Sequence, residues 1–97
     1  MTPEQEKQAQ AQYEENLKAA IISHARVIFG LEDSLTDVVS SEVPQGFVSH
    51  VIHYPKIKSY RGGFKRLLSS KTCSGVSETY ENLLQFLRSR MAEYLGN

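Results

Sequence analysis

The segment from Ser77 to Leu95 most narrows what this chain can fold into. Tyr80, Leu83, Leu84, Leu87, Met91, Tyr94 and Leu95 keep a seven-residue spacing over two heptads, which is one apolar stripe on an α-helix. Ser77 stands where an N-cap belongs, Glu78 and Glu81 favour the positive end of the helix dipole, and Gly96 can close the helix. Two heptads fall short of the three or four of a coiled coil. The stripe therefore reads as core, with a homodimer through this C-terminal helix as the lesser reading.

A helix needs a partner for its stripe, and the N-terminus offers one. Thr2, Pro3 and Gln5 spell a capping box with proline at the first helical position, and Gly30 is placed to end the helix. Tyr13, Leu17, Ala20, Ile21 and Ile28 share one face with His24, and Glu14 is spaced to pair with Lys18. Residues 1–12, rich in Gln, have no apolar face and read as a solvated or frayed start.

Between the two helices, "FVSHVIHY" (Phe47–Tyr54) is β-branched and aromatic and predicts a strand. Phe47, Ser49, Val51 and His53 take one face and Val48, His50, Ile52 and Tyr54 the other. Leu31, Leu35, Val38 and Val39 keep a helical spacing, so a short second helix is expected before Pro44 and Gly46. Tyr60, Phe64, Leu67 and Leu68 also fall on a helix face, and a short helix from Gly63 to Ser70 is preferred to a hairpin around Gly62-Gly63. "SSKTCSG" is then a loop. With 97 residues the chain is one domain, 1–97. The expected fold is a small α+β domain, with an all-α bundle as the alternative.

Net charge is zero but strongly polarised. Residues 1–42 carry a net −5, residues 43–77 a net +6 with no acidic group, and residues 78–97 a net −1. The basic section centres on "HYPKIKSYRGGFKRLLSSK" (His53–Lys71), where Tyr54, Tyr60 and Phe64 interleave with the cations. Lys and Arg neutralise phosphates, aromatic rings stack on bases, and Arg61-Gly62-Gly63-Phe64 echoes an RNA-binding element. Yet overall neutrality is unlike a protein that coats nucleic acid, and the acidic remainder repels a long polyanion.

No constellation carries catalysis. "GGFKRLLSSKT" lacks the Gly directly before Lys that a phosphate loop requires. His50 and His53 fall on opposite faces of a strand and do not converge with His24 and Cys73 on a metal. Nothing local activates the lone Cys73, and it excludes an intramolecular disulfide. Asp33 and Asp37, with Glu32 and Glu42 nearby, read as caps or a solvated acidic surface.

The expectation is a non-enzymatic interaction protein with no cofactor and no metal. It acts as a regulator or inhibitor by stoichiometric docking on a macromolecular partner. The contact residues are Tyr54, Lys56, Lys58, Tyr60, Arg61, Lys65 and Arg66, and the partner is a protein with an acidic surface. Direct nucleic-acid binding through the same residues is the alternative. The polar start does not read as a signal peptide, and the longest apolar run, Ala19–Ile22, is too short for a bilayer. A cytoplasmic setting without membrane contact is expected.

Overall fold

The computed structural model describes residues 2–30, 34–55 and 65–96. It is a small α+β domain in the order α1 (Pro3–Phe29), β1 (Ser34–Val43), β2 (Gly46–Pro55), β3 (Lys65–Ser69), α2 (Val76–Gly96). The strands form one antiparallel sheet in the order β1-β2-β3, and both helices pack on one of its faces.

Helix α1 begins and ends as its residues dictate. Thr2 Oγ1 accepts from the Gln5 amide at 3.2 Å, and Gln5 Oε1 accepts from the Thr2 amide at 2.9 Å, so two orphan donors are satisfied reciprocally. Gly30 ends the helix in the left-handed region, at φ 65° and ψ 44°. The expected Glu14–Lys18 pair does not form. Glu14 instead accepts from Ser77 at 2.7 Å, and Lys18 pairs with Asp37 at 3.2 Å.

Two expected helices are strands. Leu35, Val38 and Val39 have a helical spacing, but β1 pairs with β2 along its whole length, from Ser34↔Pro55 to Val43↔Gly46, around the turn at Pro44-Gln45. Val38 then points into the core, while Leu35 and Val39 take the other face. The same ladder decides β3, since Val51 opposes Leu68 and Ile52 opposes Arg66. Leu67 is the extra residue of that bulge, so both Leu67 and Leu68 pack against the core. Gly63 and Phe64 of the expected helix, and Leu31 of the other, lie outside the described residues.

The core joins Ile21 and Ala25 of α1, Val38 and Val51 of the sheet, and Tyr80, Leu83, Leu84 and Leu87 of α2. Each apolar side chain of this kind contributes roughly 1.5–3 kcal/mol when buried. The α2 stripe is thus consumed by the fold as far as Leu87, while Tyr94 and Leu95 remain 65 % and 72 % exposed. The helices run parallel. Gln10 and Glu14 meet Ser77, Tyr13 donates to Glu81 at 2.7 Å, and Ile28 lies beside Tyr94. Ser77 is therefore not the cap of α2: the helix starts one residue earlier, and the Ser77 hydroxyl ties it to α1. Residues 3–9 precede the first of these contacts, so the exposed start of α1 projects roughly 10 Å beyond it.

A buried run of hydroxyls links sheet to helix. Thr79 donates to the Val76 carbonyl at 2.6 Å. A hydroxyl has one proton, so Ser49 must donate to Thr79, at 2.5 Å. Ser40 in turn must donate to Ser49, at 2.8 Å. The Tyr80 hydroxyl stands at the far end, 3.4 Å from Ser40. Ser49 and Thr79 are fully buried and fully partnered.

Candidate docking surface

Of the seven residues expected to contact a partner, Tyr54, Lys65 and Arg66 are described. Lys56, Lys58, Tyr60 and Arg61 lie outside the described residues. Tyr54 is half-buried near the end of β2, opposite Leu35. Lys65 and Arg66 open β3, both exposed, opposite His53 and Ile52. All three thus sit at the end of the sheet from which residues 56–64 lead away.

The pleat separates them. Ile52 and Tyr54 alternate to the face away from the helices, and Arg66 pairs with Ile52, so Tyr54 and Arg66 share the open face. Lys65 opposes His53, which alternates with Val51 to the helix side. Neither cation has an ion-pair partner among the described residues.

The open face carries more than the charge pattern indicated. Leu35 and Val39 of β1 join Val48, Ile52 and Tyr54 of β2 there. Leu35 is 44 % exposed, and Ile52 is only 5 % exposed although no helix packs over it. Reading β1 as a helix hid Leu35 and Val39 from this surface. Their alternation with the inward Val38 was the signal that could have revealed them.

His50 lies on the same face. Its Nδ1 is 2.7 Å from Ser69 Oγ. Partial burial, then the positive charge of Arg66, hold its imidazole below the ordinary histidine range. The open face therefore sets apolar side chains around Asp37, which lies opposite Ile52 and is paired with Lys18, is cationic at Arg66, and is edged by a histidine that favours its neutral form.

The other candidate groups stay apart. His50 and His53 point to opposite faces as expected, and His24 Nδ1 bonds the Ala20 carbonyl at 2.7 Å. The half-buried Cys73 lies in a bridge to Phe47, with amide–carbonyl bonds of 2.8 and 2.9 Å. Among the described residues no three His, Cys, Asp or Glu side chains are grouped to hold a metal. Asp37 is occupied by Lys18, while Glu32 and Asp33 lie outside the described residues. At the α1–α2 seam, the bond to Glu81, then burial and the Glu81 charge, raise the Tyr13 phenol above its ordinary value. None of the described helices is long and apolar enough to cross a membrane.

No protein-family model matches the chain, and neither a curated protein nor a solved structure is found similar to it.

Proposed function

We propose that this chain is a non-enzymatic interaction protein, a regulator or inhibitor that works by stoichiometric docking in a cytoplasmic setting. Its contact surface is the basic-aromatic stretch of Tyr54, Lys56, Lys58, Tyr60, Arg61, Lys65 and Arg66, and its partner is a protein with an acidic surface. One observation carries the reading. Arg66 and Tyr54 lie together on a sheet face that carries Leu35, Val39 and Val48 beside the Lys18-paired Asp37 and is uncovered by either helix. Apolar side chains with a cationic neighbour suit a protein interface, where aromatic and Arg side chains contribute most of the binding energy. A phosphate-tracking surface has less use for Leu35, Val39 and Val48.

The test is a fluorescence anisotropy titration of labelled single- and double-stranded oligonucleotides at low and moderate salt. A Lys56/Arg61/Lys65 triple-alanine variant runs in parallel. The docking reading expects no salt-sensitive binding, and a protein captured by the wild type but lost with an Arg66→Glu, Tyr54→Ala variant. Oligonucleotide binding that falls steeply with salt, and is lost in the triple variant, would transfer the surface to nucleic acid. Self-pairing through α2 is a lesser possibility, since only the end of its stripe remains exposed.

A further inference from the structure

Three polar side chains meet where β2 and β3 pair on the open face. Ser69 opposes His50, and Arg66 opposes Ile52, two residues further along β2. The guanidinium therefore stands diagonal to the imidazole on one face. The Ser69 hydroxyl lies 2.7 Å from His50 Nδ1 and fixes the ring. His50 Nε2 has no hydrogen-bond partner among the described residues. Arg66 is exposed and has no ion-pair partner among them. An imidazole nitrogen and a guanidinium are thus left side by side, next to the apolar Val48 and Ile52.

A carboxylate matches this pair, because its oxygens can accept from a guanidinium and an imidazolium at once. The ring can take up the proton that this needs. Ser69 Oγ donates to a neutral Nδ1 and accepts from a protonated one, so His50 can become charged without losing its 2.7 Å bond. In the free domain partial burial, then Arg66, hold the imidazole below the ordinary histidine range. A carboxylate between the two groups reverses the second cause, since it offsets the guanidinium and pairs with the ring.

The neighbouring charges direct an anion to the same place. Asp37 opposes Ile52 from β1, on the far side from Arg66, and is held by Lys18 at 3.2 Å. Its carboxylate keeps an incoming anion towards β3. Lys71, exposed two residues past Ser69, adds a cation at that end. On β2 the remaining titratable group of the face is Tyr54, and neither helix packs over it.

We propose that His50 and Ser69 join Arg66 in a carboxylate-binding site on the open face, where an acidic partner docks with uptake of a proton at His50. The proposal rests on the docking reading above and names the chemistry by which the partner is held. Proton and carboxylate then favour each other's binding. Affinity rises as pH falls through the histidine's value in the complex, and levels off below its value in the free domain, which lies under the ordinary 6.5. The probe is a fluorescein-labelled oligoglutamate peptide, titrated by anisotropy into the whole chain from about pH 8 to about pH 5.5, where its carboxylates stay ionised. Circular dichroism confirms folding at each pH. The wild type is expected to bind about tenfold more tightly at the lower pH, the gain that corresponds to raising His50 by about one pH unit. His50→Gln is expected to bind without that gain, and Arg66→Ala to lose binding throughout. Binding that needs Arg66 but ignores pH, or a gain that persists in His50→Gln, would overturn the proposal and leave the docking reading standing. No binding at any pH, or binding indifferent to Arg66→Ala, would overturn both.

Discussion

Replacing Thr79 with valine removes one oxygen from the middle of the domain and keeps nearly the same shape. In the native fold that oxygen makes two bonds, to the Val76 carbonyl at 2.6 Å and to Ser49 at 2.5 Å. Each contributes about 1 kcal/mol net. The valine methyl is apolar and buried where Thr79 is 0 % exposed, which returns a fraction of about 0.8 kcal/mol. Ser49 is not stranded, because it can reverse its bond and donate to Ser40 at 2.8 Å. The expected loss is therefore about 1–2 kcal/mol, or roughly 4–8 °C in Tm per kcal/mol for a domain of this size. Urea unfolding followed by circular dichroism measures it, with an unchanged slope showing that both end states are preserved. Combining Thr79→Val with Ser49→Ala should then cost less than the two singles added, by about 1 kcal/mol, because both remove the same bond. A neutral Thr79→Val with additive singles would refute the reasoning, for it would mean that the hydroxyl run contributes nothing to docking α2 on β2.

Three further outcomes follow from the same packing. Gly46 sits at φ 146°, and a Cβ there would run into the Cys73 carbonyl, so Gly46→Ala should cost about 3 kcal/mol or more and expose the Phe47 amide to hydrogen exchange. Leu87, fully buried, should lose about 2–5 kcal/mol on truncation to alanine, while Leu95→Ala, on the same stripe but 72 % exposed, should change stability by less than about 0.5 kcal/mol. His50 favours its neutral form in the fold, so its contribution is complete above the ordinary histidine value of about 6.5 and is lost as pH falls below it. Urea midpoints measured across that range should decline less steeply for His50→Gln than for the wild type.

What was legible in the sequence was local. Thr2 and Gln5 cap α1 within one turn, Gly30 stops it, and the stripe from Tyr80 to Leu87 buries itself as its spacing requires. The alternation of β2 was equally plain, because Ser49 and Val51 point one way and His50 the other. β1 was misread because Leu35, Val38 and Val39 satisfy a helix face and a strand alternation alike. Only the pairing partner ten or more residues away decides between them. Ser77 failed as a cap for a similar reason: its preference for an N-cap is local, but its hydroxyl is claimed by Glu14, 63 residues distant.

The candidate surface shows the same limit from another side. Lys65 and Arg66 are neighbours in an unbroken basic run, and as a run they suggest one cationic patch. In a strand, neighbours face opposite ways. The bulge at Leu67 then fixes which of them meets Ile52 on the open face, and it is Arg66. Regular pairing carried on from Leu68 would set Lys65 opposite Tyr54 on the open face and send Arg66, opposite His53, to the helices. The bulge thus selects the guanidinium, with its planar fork and its capacity to stack on Tyr54, in place of a flexible ammonium. Deleting Leu67 removes the bulge but leaves Arg66 opposite Ile52 and Lys65 opposite His53, so both cations should keep their faces. If the open face docks a partner through Arg66, Arg66→Ala should abolish binding in a domain that still folds, whereas Lys65→Ala should leave it nearly unchanged.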